Sequence, residues 1–92
     1  MRFKVLRVCQ SNALSIVPQE VVRYDLDKAA EVLSAAGYRV THSEVLVIAS
    51  SGGKEITLYT NGRLMVLPVE SREAASALAE QFYGQIESAK VG

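Results

Sequence analysis

Three observations predict a two-layer α+β domain for this chain, an antiparallel sheet with two helices on one of its faces. Residues 55–67 alternate apolar and polar side chains on either side of an Asn61-Gly62 pair, which is the pattern of a β-hairpin. Segments 25–37 and 71–88 each carry apolar residues at helical spacing on a single stripe. A helix with one apolar stripe has one face to bury, and two such helices can share one face of a sheet. The predicted order is β-α-β-β-β-β-α, without repeat or linker, so residues 1–92 form one domain.

Phe3 to Cys9 is rich in apolar and β-branched residues and reads as the first strand. Its alternation is broken by adjacent Val5 and Leu6, which leaves the faces of Lys4 and Arg7 open. Ser11-Asn12 reads as a turn, Leu14–Val17 as a short extra strand closed by Pro18, and Gln19–Arg23 as a helical turn or a further extended piece. Asp25 is placed to cap the first helix, whose stripe is Leu26, Ala29, Ala30, Leu33 and Ala36. Gly37 supplies the left-handed residue that ends it. Tyr38–Thr41 reads as a short strand and Glu44–Ala49 as a longer one, covered in part on both faces, with Ser50–Gly53 a flexible turn.

In the hairpin that follows, Ile56, Leu58, Leu64 and Val66 point one way and Thr57, Tyr59, Arg63 and Met65 the other. Asn61-Gly62 tolerates the two positive φ angles of a two-residue type I′ turn. Pro68 has no amide hydrogen, which places it at a strand end or sheet edge. Ser71 offers a capping hydroxyl to the last helix, and Glu73 a carboxylate near its positive end. That helix buries Ala75, Leu78, Ala79, Phe82 and Ile86, while Gly84 weakens its last turns by about 1 kcal/mol relative to alanine.

The composition narrows the function. Ten basic and ten acidic residues balance, with a pI near 6.6, and no run of like charge exceeds two. A dedicated nucleic-acid binder usually shows a basic excess or stripe. The single cysteine, Cys9, excludes an internal disulfide and a multi-cysteine zinc site, and in a strand it reads as a small buried hydrophobe. MRFKVLRVC is too short and too regularly charged for a signal peptide, and no apolar run reaches the ~18 residues of a membrane span. A soluble cytosolic protein is expected.

Chemistry-bearing residues are sparse. His42, the lone histidine, has only Glu44 close by in sequence and reads as a surface or strand-edge residue. Asp25 and Asp27 stand at a helix start, where carboxylates stabilise the terminus. Gly52-Gly53-Lys54 is flanked by strands rather than by strand and helix, so it reads as a turn and not a phosphate loop. No cofactor, no metal and no catalytic set is expected, and the chain reads as a non-enzyme.

Tyr24-Asp25-Leu26 before the first helix, Ala36-Gly37-Tyr38 after it, and the stretch LYTNGRLMVLPVESREAASALAEQFY together resemble one repeat of the TATA-box-binding protein family. The resemblance runs from about Tyr24 to Ile86 and implies a curved sheet with both helices on its convex side. Family members that act in transcription carry two repeats forming a saddle, and their concave sheet bends DNA from the minor groove. This chain has one repeat, and a homodimer pairing its first strands would rebuild the two-fold arrangement.

By that resemblance the concave face includes Thr57, Tyr59, Asn61, Arg63, Met65 and Leu67, joined by Val45 and Val47. Tyr59 and Ser43 stand where the family has wedge phenylalanines, and the basic hairpin arm is reduced to Lys54. The loss of one wedge, the short arm and the neutral charge argue against DNA kinking. The leading expectation is a small binding or assembly module using Val45, Val47, Thr57, Tyr59, Asn61, Arg63, Met65 and Leu67 for a homodimer or a protein partner. The alternative is nucleic-acid binding by the same face through Lys54, Tyr59, Asn61 and Arg63.

Overall fold

The computed structural model describes residues 2–7, 14–67 and 71–91. Among them the chain runs β1 (Phe3–Arg7), β2 (Leu14–Pro18), α1 (Leu26–Ala35), β3 (Arg39–His42), β4 (Leu46–Ser51), β5 (Lys54–Tyr59), β6 (Leu64–Leu67) and α2 (Arg72–Gln85), with a 3-10 turn at Glu87–Ala89. The strands form one antiparallel sheet in the order β1-β2-β6-β5-β4-β3. The α+β class holds, with one more strand than the expected β-α-β-β-β-β-α order. Leu14–Pro18 is that strand. Its Leu14 and Ile16 are buried and pair with Val66 and Leu64, so β2 lies between β1 and β6. Cys9, the Ser11-Asn12 turn and Pro68 lie outside the described residues.

Alternation sorts the sheet into two faces. Leu14, Ile16, Val47, Ala49, Ile56, Leu58, Leu64 and Val66 are all buried, and the strand register aligns them across β2, β6, β5 and β4. They meet Ala29 and Leu33 of α1, and Ala75, Ala79 and Phe82 of α2, in one core. Packing of α1 on β3 and β4, and of α2 on β1 and β2, puts both helices on that face.

Local chemistry fixes the helix ends. The Asp25 carboxylate accepts from the Lys28 amide at 3.2 Å and Ser71 Oγ from the Ala74 amide at 3.1 Å. Gly37 takes φ +101°, and the Tyr38 amide then donates back to the Leu33 carbonyl, a Schellman closure. Ala36 is therefore an exposed cap residue rather than part of the buried stripe. At Gly84 α2 remains helical, ending at Gln85 and tightening into the 3-10 turn.

The two hairpin turns differ from those expected. Gly52 and Gly53 have φ of +58° and +80° and join Ser51 directly to Lys54, so the two-residue loop with two positive φ angles is here. At Asn61-Gly62 the loop has three residues, Thr60 to Gly62. The Gly62 amide donates to the Tyr59 carbonyl, the Tyr59 amide to the Arg63 carbonyl, and Gly62 takes φ +88°. That is the three-residue loop with a left-handed glycine.

Tertiary contacts explain the longer turn. Tyr83 Oη donates to the Gly62 carbonyl at 2.6 Å, and a Cβ at Gly62 would stand 2.5 Å from Val22 Cγ2. The hairpin tip is thus seated on the segment leading into α1, where the Tyr24 amide donates to the Thr60 carbonyl at 2.9 Å. The C-terminal segment grips the same place. The Asp25 amide donates to the Ala89 carbonyl and the Val91 amide to the Arg23 carbonyl, at 2.8 and 2.7 Å.

Candidate functional site: the open face of the sheet

The face turned away from the helices has no other element of the described residues over it. Register lays out its rows. One row crosses the sheet as Leu6, Ser15, Met65, Thr57, Ile48 and Thr41. Beside it run Lys4 with Val17, and Tyr59 with Leu46; on the other side run Leu67, Glu55, Ser50 and Arg39. Val17, Leu46, Ile48, Tyr59, Met65 and Leu67 are each half-buried, and Leu6 is 47% exposed. The result is an apolar centre broken by short hydroxyl side chains.

Those hydroxyls are sheltered by their neighbours. Thr57, flanked in register by Met65 and Ile48, is buried, and so is Ser15. Arg63 Nε donates to Ser15 Oγ at 2.9 Å, laying the guanidinium across the face. The Asn61 side chain accepts from the Arg63 amide at 3.0 Å, which turns it to the work of shaping the loop.

Behind the hairpin tip lies an aromatic cluster. Tyr83 stacks on Tyr24 at 6.4 Å and meets Phe3 at 5.7 Å. Burial pushes the Tyr24 phenol from 10.0 up to about 12, with Glu87 and Glu20 adding to the rise. Burial likewise raises Tyr83, with Tyr24 a smaller cause. The two phenols differ in their partners. Tyr83 holds the Gly62 carbonyl, whereas Tyr24 Oη is buried with no partner among the described residues.

Of the residues expected at this face, Thr57, Tyr59, Met65 and Leu67 are on it, and Arg63 reaches it through Ser15. Val47 is not. It is fully buried opposite Leu58 on the helix side, and Val45 lies before β4 in a turn, 64% exposed. The run EVLVIA is apolar at nearly every position, so alternation within it cannot select a face. The two-residue Gly52-Gly53 turn selects it, pairing Ala49 with Ile56 and Val47 with Leu58, which turns Leu46 and Ile48 outward. Asn61 is in the loop rather than on the face, and Lys54 borders the glycine turn. Sequence reasoning also missed Lys4, Leu6, Ser15, Val17, Leu46, Ile48 and Arg39.

Charge is arranged unevenly. Among the described residues the open face carries Lys4, Arg39 and Arg63 against Glu55 alone. The helical side carries Asp25, Asp27, Glu31, Glu73, Glu80 and Glu87 against Lys28, Arg72 and Lys90, with Lys54 added to it by alternation along β5. Formal neutrality is therefore a cancellation between two sides of the molecule.

A shallow cleft of about 510 Å³ lies at the start of α1, lined in part by Asp25, Asp27, His42, Ser43 and Glu44. His42 Nε2 stands 3.2 Å from Asp27 Oδ1, with both side chains well exposed, which is a surface ion pair when the histidine is protonated. Ser43 Oγ accepts from the Val45 amide and so stabilises the β3–β4 turn. Among the described residues no cluster of three or more potential metal ligands forms, and no helix is long and apolar enough to cross a membrane. Neither a family model, nor a curated protein, nor a solved structure matches the chain.

Proposed function

We propose that this chain is a small non-enzymatic binding or assembly module, acting in the cytosol, whose open sheet face receives a second copy or a protein partner. The observation that supports it is the band of half-exposed apolar side chains, Leu6, Met65 and Ile48 with Val17, Leu46 and Leu67 beside it, interrupted by the buried hydroxyls of Ser15 and Thr57 and uncovered by any described element. Aromatic residues, methionine and arginine are the types enriched at protein interfaces, and Tyr59, Met65 and Arg63 supply all three here. The outline of the molecule, 31 × 28 Å in its two longer dimensions, gives such a face room for an interface near the roughly 800 Å² per partner of a stable complex.

Met65→Glu tests this reading, because Met65 is central to the face and outside the core. Light scattering is expected to show association of the wild-type protein at high micromolar concentration and its loss in the variant, with the melting temperature little changed. Association that survives Met65→Glu unaltered refutes the reading.

A single TATA-box-binding-protein-like repeat remains our proposal for the fold family. Both helices on one side of an antiparallel sheet fit it. Tyr59 lies on the open face and Ser43 in the turn before β4. The outer side of β1 is a sheet edge, so pairing of first strands between two copies is open.

The uneven charge favours a second reading, nucleic-acid binding on the same face. Tyr59 offers a stacking surface and Arg63, Lys4 and Arg39 offer cationic contacts, whereas Lys54 and Asn61 serve the turns. Such binding falls steeply with salt as phosphate contacts release counterions. A mobility shift with single- or double-stranded DNA or RNA at about 50 mM salt supports it, and no shift there removes it.

A further inference from the structure

We propose that the occupant of the open face is the helical layer of a second copy, stacked head to tail, so that the chain assembles into open-ended arrays rather than a closed face-to-face dimer. This rests on the reading of the open face as a protein-binding surface and names its partner. Two features carry it. The first is charge. Three bases against one acid on the open face confront six exposed acids against four bases, Lys28, Arg72, Lys90 and Lys54, on the helical side. Two open faces brought together would instead oppose like charge.

The second is surface relief. The outward side of α2 presents Ala74 and Ala77, both exposed, between Glu73 and Glu80. Short side chains there let a facing sheet approach while the carboxylates reach its bases. A contact between unlike surfaces does not close on itself by a two-fold axis, and repeats until a ring forms or the array ends.

The test uses the intact protein and two charge-reversed variants. Lys4→Glu/Arg39→Glu makes the open face net acidic, and Glu31→Lys/Glu73→Lys/Glu80→Lys makes the helical layer net basic. Circular dichroism melts of both establish that they fold. In sedimentation velocity at about 50 mM salt, the wild type is expected to grow past dimer with concentration and to return toward monomer at about 0.5 M, where the Debye length falls to roughly 4 Å. Each variant alone is expected to be monomeric. Mixed in equal amounts, an open face of one variant meets a helical layer of the other with opposite charge, and association at least ten-fold stronger than either alone is expected.

Association of the helix-layer variant alone, at wild-type strength, overturns the head-to-tail arrangement in favour of face-to-face contact. Wild-type protein that is monomeric at both salt concentrations, or a mixture no more associated than its components, overturns it too. If Met65→Glu abolishes self-association while the charge mixture fails, only the head-to-tail partner falls; if Met65→Glu has no effect, the open-face reading falls with it.

Discussion

Tyr24 and Tyr83 are buried side by side, yet their hydroxyls have opposite worth. Tyr83→Phe leaves the Gly62 carbonyl without its 2.6 Å donor inside the protein and is expected to cost about 1–3 kcal/mol in chemical denaturation. Tyr24→Phe removes a phenol that has no partner among the described residues, and is expected to be neutral or stabilising by up to about 1 kcal/mol in the same measurement. Equal losses in both variants would contradict this assignment. Alkaline behaviour follows from the same burial. A folded-state pKa raised above 10.0 means that the neutral phenol is favoured in the fold, so its contribution is complete below pH about 10 and is lost as pH rises toward about 12. Tyr24→Phe is expected to move the alkaline unfolding midpoint upward.

Among the elements, the two hairpin turns show what sequence chemistry settles and what it leaves to packing. Gly62→Ala meets both a left-handed φ and a clash with Val22, and is expected to lower stability by about 2 kcal/mol or more. Gly52→Asn should cost well under that, because the turn is open to solvent and asparagine tolerates positive φ. Thermal melts of the pair decide. The helices were legible because their signals are local: Asp25, Gly37 and Ser71 act within four residues of themselves. The hairpin was legible as a hairpin, but its loop length was not, since Tyr83 and Val22 set it from 21 and 40 residues away. The rank of Leu14–Pro18 as an interior strand depended on pairing with β6, a contact across some 50 residues that no local pattern encodes.

For the whole molecule, half of the candidate face was readable. Thr57, Tyr59, Met65 and Leu67 follow from alternation inside one strand pair. Val47 was placed on this face by the resemblance and lies on the other; five successive apolar residues, Val45 to Ala49, hide the period, and register alone resolves it. Charge was misread more deeply. Ten against ten looks featureless along the chain, while the fold gathers acids on the helices and bases on the sheet. Composition sums over a surface whose two sides meet different neighbours, so a neutral total is compatible with two unlike faces. Met65→Glu decides the protein reading of the open side, and a mobility shift with nucleic acid at about 50 mM salt decides the other.

Arg23 to Asp25 form no helix or sheet strand, yet the chain passes there between the β5–β6 loop and the C-terminal turn and is bonded to both. In exchange terms this is an inversion of the usual map, in which connecting segments give up their amide protons first. The Tyr24 and Asp25 amides can be released only when the hairpin tip or residues 89–91 let go. They are expected to exchange with deuterium as slowly as the central amides of β5, and the Ser43–Val45 turn orders of magnitude faster. A connector that keeps its protons as long as the core does would show that residues 23–25 open only with global unfolding.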